Sequence, residues 1–393
     1  MIVRQFLQWL RIAPAAERAE ATSALARAYL DCDLSADERA AVEGALIMVL
    51  DDPSPLVRGA LAQALAASEH APPPVILGLA ADQAEVAACV LQHSPLLLDA
   101  DLVDAVATGG PPAQAAIASR TALPAAVSAA IAEVGSAEAC LVLIENPRAE
   151  IAPFSLDRMV ARFGHLAAIR EAMLARADLP APTRQALVAK LSETLAGFVV
   201  ARQWLEEDRA QRVAKEACEK ATVTLAAVSP ESEIRPLIRH LRESGQLTAG
   251  LILRALLSGN LDLFEEALAD LADIPLARVS ALVHDRRGAG FRALYDKAGL
   301  PVSAKPAFHE AIEAMREGGF VGGPGGATRL RRRMVERVLT RCAEGALGEI
   351  EPLLTLLRRF AAEAAREEAR LYCDELVAED GIAPPYQPDR AAA

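Results

Sequence analysis

Four arginines recur at four-residue intervals in "GGPGGATRLRRRMVERVLTR": Arg329, Arg333, Arg337 and Arg341. On an α-helix that spacing makes a slowly drifting basic stripe, with Leu330, Met334 and Val338 beside it. Guanidinium groups held that way suit a phosphate or an acidic partner, because each presents a planar fork of donors. A second candidate is "VHDRRGAG", where His284, Asp285, Arg286 and Arg287 precede Gly288 and Gly290. The glycines would expose backbone amides at the next helix start and make an anion-binding corner. Both have a plainer reading. Charge runs are usually solvated faces, and Glu336 lies on the same helix as the stripe. His284 and Asp285 can equally end one helix and cap the next, leaving the two arginines in water.

Other chemistry leaves little trace. The six histidines, at 70, 93, 165, 240, 284 and 309, include no pair at metal-ligand spacing, and "FHEAIE" lacks the second histidine of HExxH. There is no GxSxG, no GxGxxG after a strand, and no GK[ST] in the glycine-rich segment 318–326. The six cysteines are scattered without a CxxC, and Cys89 in "VAACVL" reads as a small hydrophobe. These patterns assign no catalytic residue, no metal and no cofactor.

The elements that would position any site are helical almost throughout. "DDPSPLVRGALAQAL" reads as a proline-started turn and then a helix with Val57, Leu61 and Leu65 on one stripe. Asn146-Pro147 stands to Ile151 as Asp52-Pro53 stands to Val57. In both, the Asp or Asn is read as accepting a bond from the free amides of the helix start. Residues 16–30 give an amphipathic helix with Ala21, Leu25, Ala28 and Tyr29 on one side, and Ser35 with Glu38 fits a capping box. Phe6, Trp9 and Leu10 form an aromatic face on the first helix, either a docking helix or the N-terminal cap of a stack.

Helices this short are unstable alone, so each must lay its stripe on the next. The expected architecture is all-α: an α-solenoid of degenerate HEAT-like repeats in two halves joined by long helices, with a C-terminal helical hairpin. The expected bounds are 1–182 for the first repeats, 183–228 for the long helices and 229–318 for a second set of short units. A hairpin follows over 327–380, and 381–393 is expected to be a disordered tail. Ser229-Pro230-Glu231 reads as an N-cap, proline and first-turn acid, and Gly299 as a helix C-cap.

Composition bounds the role. The chain has 393 residues and a formal net charge of −12, which argues against general nucleic-acid affinity. Thirty-six arginines stand against five lysines, read here as coding bias rather than a demand for guanidinium chemistry. The start, "MIVRQFLQWLRIAP", is broken by Arg4 and Arg11 and lacks a signal h-region. No run approaches the roughly 18 apolar residues of a membrane span, and "LTAGLILRALLSG" carries Arg254 at its centre. A cytoplasmic, soluble protein is expected.

Three stretches carry a resemblance: "AERAEATSALARAYLDCDLSADERAAVEGALIMVLDDPSPLVRGALAQAL", "VILGLAADQAEVAACVLQHSPLLLDADLVDAV" and "GNLDLFEEALADLADIPLARVSALVHDRRGAGFRALYDKAGLP". The chain resembles the alphaproteobacterial proteins grouped as domain of unknown function 2336. It also looks like HEAT and leucine-rich-variant repeats, which share the D-P-x-x-x-V-R opening. The resemblance implies a helical solenoid and carries no catalytic residues. The expected role is a non-enzymatic scaffold or adaptor that binds another protein or peptide, with a part in bacterial regulation and a homodimer among the expectations. The alternative is a sensor of a small anion such as a nucleotide, held by Arg329 to Arg341 and the 284–287 corner.

Overall fold

The structure is a computed structural model that describes residues 2–10, 12–285, 289–318, 332, 334–341 and 351–379. Among these residues every regular element is helical. The one trace of β pairing is an isolated bridge between Leu123 and Ala149. The protein is all-α. It divides into two compact units, Met1–Leu179 and Pro180–Ala393. The expected hairpin at 327–380 is described only in part, and the tail 381–393 lies outside the described residues.

The first unit runs through α1 (Ile2–Leu10), α2 (Ala15–Asp31), α3 (Ala36–Val49), α4 (Pro55–Leu65), α5 (Pro73–Ala80) and α6 (Ala84–His93). It continues through α7 (Asp99–Thr108), α8 (Pro111–Ala118), α9 (Ala125–Val134), α10 (Ala137–Glu145), α11 (Pro153–Phe163) and α12 (Ala167–Ala175). The even-numbered helices pack in series from α2 to α12; α1, α3 and α5 form another series, and α7, α9 and α11 a third. Neighbours in sequence lie in opposite rows, which buries the stripe of each short helix. Val57, Leu61, Leu65, Val90, Ile131 and Leu143 are fully buried along it. In α2 the inward face is Ala19, Thr22, Ala26 and Tyr29; of the expected stripe only Tyr29 is buried. Phe6, Trp9 and Leu10 are half-buried, on a helix that packs against α3.

The Ser35–Glu38 capping box forms, but the Asp-Pro and Asn-Pro openings work differently from the N-caps expected of them. Helix α4 begins at Pro55, and its N-cap Ser54 makes no side-chain cap bond. Asp52 instead accepts the Ser54 N–H at 2.9 Å and a two-pronged bond from Arg18, at 2.9 and 2.8 Å. Asn146 accepts the Arg148 N–H at 3.0 Å and donates to the carbonyls of Ala118 (2.9 Å) and Arg120 (2.8 Å). Both residues therefore make a local Asx turn and tie one helical unit to another.

The same tie recurs down the unit and occupies several of its arginines. Arg58 grips Asp82 at 2.6 and 2.9 Å. Just past α8, Arg120 donates to the carbonyls of Leu91 and Ser94 at the end of α6, at 2.6 and 2.8 Å. Asn146, just past α10, reaches the end of α8, and Arg176, just past α12, reaches Ile144 in α10 at 3.0 Å. In the other row Arg162 of α11 donates to Ala132 and Gly135 at the end of α9, both at 2.7 Å. A helix end leaves its last carbonyls without intrahelical donors, and a planar fork can satisfy two at once. Guanidinium chemistry is in demand here, which corrects the reading of arginine as compositional bias.

The second unit contains α13 (Ala181–Ala201), α14 (Glu207–Val228), α15 (Glu231–Glu243), α16 (Ala249–Leu257), α17 (Leu261–Ala272), α18 (Leu276–His284) and α19 (Ala289–Lys297). A 3-10 turn at Val302–Ala304, α20 (Lys305–Gly318) and α21 (Glu351–Glu379) complete it. The long proline-free run is two helices, α13 and α14, paired along their length and joined by a turn in which Gln203 has φ +58°. Pro230, not Ser229, holds the N-cap position of α15; the Ser229 hydroxyl donates to the Leu225 carbonyl inside α14. Gly299 turns left-handed after α19, at φ +68°. Helix α16 is buried on every side, from Leu251 to Leu257, as a helix apolar around its whole circumference should be.

The ties predict a specific cost. Arg120→Met keeps the aliphatic stem but strands two carbonyls, and should lower the unfolding free energy by about 2–3 kcal/mol in urea titration. Arg39→Met, which removes only a cation–π contact over Tyr29 at 4.8 Å, should cost less than about 1 kcal/mol.

Candidate binding site

The basic stripe is described only in part. Arg329 and Arg333 lie outside the described residues, as do Arg286 and Arg287 of the second candidate. Arg341 stands 3.5 Å from Glu310, and Arg337 is half-buried and not a free cation. Arg332, off the expected stripe, bonds Glu336 at 2.8 Å and Glu368 of α21 at 2.7 Å. At the other candidate, His284 Nε2 lies 3.1 Å from Glu265 Oε1, and Asp285 is the C-cap of α18. Arg341 thus already faces a carboxylate, and His284 of the other set lies within hydrogen-bond distance of one.

The second unit assembles a different constellation on α14 and α16. Helix α16 and the C-terminal half of α14 pack into the unit's interior, so Glu219 of α14 and Arg254 of α16 are buried charges, 8% and 5% exposed. Arg254 Nη1 donates to Glu363 Oε2 of α21 at 2.7 Å, and its guanidinium lies 4.1 Å over the Phe360 ring. Its Nε and Nη2 find no acceptor among the described residues. Lys220 pairs with Glu367 at 3.2 Å beside it. These side chains line a cavity of about 280 Å³ with Val223, Leu257 and Val335.

On the other side of Glu219 a larger groove, about 650 Å³, runs between α13, α14 and the turn before α16. Small residues on α13 (Ala189, Ala196, Gly197) leave the space, and Val200, Ala214 and Leu251 wall it. Its volume suits a small organic ligand or a few peptide side chains. At one end a chain of polar groups fixes the geometry. His240 Nε2–H donates to Gln185 Oε1 at 3.0 Å, and the Gln185 amide donates to Gln246 Oε1 at 2.6 Å. The Thr248 hydroxyl donates to Glu219 Oε1 at 2.8 Å. Gly250 sits close by: a Cβ there would meet both Glu219 oxygens at 3.5 Å.

Protonation follows from burial. Desolvation pushes the Glu219 carboxyl above its ordinary range, although the Thr248 hydroxyl, Lys215 and Arg254 oppose it. Burial also raises the Cys218 thiol, which removes the thiolate a nucleophile would need. Among the described residues no three His, Cys, Asp or Glu side chains converge as a metal site. The constellation can hold a polar ligand.

A family model described as uncharacterised protein conserved in bacteria (DUF2336) matches residues 86–348, two thirds of the chain. The chain belongs to this family. No curated protein and no solved structure matches it. The DUF2336 segment takes in Glu219, Arg254 and the groove, whereas the Arg18–Asp52 and Arg58–Asp82 ties precede it and α21 follows it.

Sequence reasoning noted Arg254 only as an interruption of an apolar run, and that interruption was the available signal. A lone charge in a continuously apolar helix has to be buried with partners. Glu219 sat in an ordinary-looking charged helix and gave no such sign. Its raised value means that the folded chain disfavours the charged form. That cost is absent below the unfolded value and is complete once the pH exceeds the folded one. Glu219→Gln should therefore raise the melting temperature at pH 7, and the gain should shrink as the pH falls through the folded value and be gone below the unfolded value of about 4. Thermal scans followed by circular dichroism across pH check this.

Proposed function

We propose that the chain is a non-enzymatic interaction scaffold, a HEAT-like repeat protein of the cytoplasm that presents its first unit to a basic segment of a partner protein. One observation supports this most. Residues 1–179 hold twenty-two Asp and Glu against twelve Arg and no Lys, and the fold draws at least six of those arginines into ties between helices. Asp52 and Asp82 are used up in those ties, but many of the other carboxylates face solvent. From residue 59 to 119 there is no Lys or Arg at all, while Glu69, Glu85, Asp99 and Asp104 are exposed. Leu77 and Leu98 are exposed in the same stretch, 51% and 69%. Negative charge with interspersed apolar side chains favours a basic, amphipathic partner and speeds its approach.

The alternative, a sensor of a small anion, has Arg254 in its favour, with two donors lacking acceptors near Lys220. Glu363 and Glu367 line the same cavity and repel an anion. That weighs toward the scaffold.

The test is photocrosslinking of the full chain in its own cells, with the crosslinker at position 77 or 98. A discrete protein adduct is expected, and reversing Glu85, Asp99 and Asp104 to lysine should abolish it. An adduct that survives the reversal, or nucleotide binding by calorimetry with no protein adduct at all, overturns the reading.

A further inference from the structure

Among the described residues of its unit, nothing buries the far half of the α13–α14 hairpin. From Val188 to Arg209 no residue is buried, although both helices and the turn between them are fully formed. The exposed side chains of α13 include Leu191 (38%), Leu195 (54%) and Phe198 (46%). With the half-buried Val188 they alternate at intervals of three and four, the spacing of the a and d positions in a coiled coil. Trp204, 65% exposed, extends the strip past the turn, its ring edge-on to Phe198 at 5.7 Å between centroids. Arg184 and Arg202, one seam position beyond each end, limit the strip to about four turns.

We propose that this seam is a dimerisation face whose occupant is the same hairpin of a second copy, the two hairpins packing as a four-helix bundle. Three features select a copy over an unrelated partner. The positions flanking the exposed seam carry no charge: Ser192 and Val199 on one side, Thr194 and Ala201 on the other. Heterotypic seams are specified by opposite charges at those positions, whereas a neutral flank meets its own copy without repulsion. The charge balance of the unit agrees: residues 180–393 hold thirty-one acidic against twenty-nine basic residues, so the repulsion implied by the net charge resides in the other unit. The area is also adequate. At about 150–250 Å² for a fully exposed aromatic and somewhat less for leucine, the four exposed side chains offer about 400 Å² before Val188 and Val199 are added. A dimer face of about 800 Å² per partner needs roughly 450–500 Å² of apolar surface.

This contact is independent of the acidic surface of the first unit, so either can fail without the other. Light scattering on the full chain over a concentration series, up to about 0.1 mM, should give twice the chain mass. Leu195→Glu combined with Phe198→Glu should halve it and leave the far-ultraviolet dichroism unchanged, since neither side chain is buried in the protomer. Leu77→Glu, on the first unit, should remain dimeric. A wild-type chain that stays monomeric across the series overturns the proposal without any variant, and so does a dimer that survives the double substitution. Sedimentation of a monomeric wild type with anionic lipid vesicles would assign the strip to a membrane surface instead and would equally overturn it.

Discussion

Helices of eight to eleven residues spend most of their backbone on their own ends. In α8, from Pro111 to Ala118, half the carbonyls belong to the last turn and have no donor inside the helix. A row of such helices can bury its apolar stripes only if the carbonyls at those ends are also satisfied, because packing removes the water that would otherwise do it. The first unit meets that constraint with arginine and asparagine placed in the last turn of one helix or just beyond it and aimed at the end of its row neighbour. Arg120, Asn146 and Arg176 do this in one row and Arg162 in the other. Nearer the N-terminus the acceptor is a carboxylate, Asp52 or Asp82, in the turn before the next helix of the row.

That constraint shapes the surface as well. An arginine used as a tie is lost to the exterior, so a unit with a modest acidic excess presents a more acidic face than its composition suggests. It also shapes the response to acid. Arg58's bonds hold Asp82 below the usual carboxylate range against the opposing effect of burial. At Asp52 burial is the largest single influence and pushes upward, but Arg18, the Ser54 amide and the charge of Arg58 together outweigh it. Both carboxylates favour the folded chain above their unfolded values near pH 4 and lose that contribution as the pH falls through the folded ones. Glu219 in the second unit has the opposite sign, because there desolvation prevails over its partners.

The second unit follows a different logic. Its centre is a helix apolar on all sides, α16, wrapped by longer helices, with Phe264, Tyr295 and Phe308 filling the layer beyond. The single interruption, Arg254, is held by a carboxylate of α21 and an aromatic face rather than by water. Truncating Glu363 would leave that cation buried with less compensation, which makes the contact with α21 a condition of the unit's integrity. The first two turns of α13 are buried at Ala181, Thr183, Gln185 and Leu187, and no residue of that helix beyond Leu187 is buried.

Helical periodicity is a property of neighbouring residues, so it could be read directly. The Val57, Leu61 and Leu65 stripe, the Ser35–Glu38 box, the left-handed Gly299 and the all-α class were legible for that reason. Helix α2 was the instructive miss: alanine lies on several of its faces, so the pattern did not say that Ala19, Thr22 and Ala26 point inward rather than Ala21 and Leu25. Asp52-Pro53 and Asn146-Pro147 were recognised as a repeated cadence, but not as ties. What the chain determined by itself was where helices start and which stripe most of them bury. Only the tertiary structure decided what the arginines do, because their acceptors are largely backbone carbonyls, which every residue carries and no sequence pattern marks. The same holds for Arg254 and Glu363, 109 positions apart, since nothing local relates two groups that meet only when the core closes.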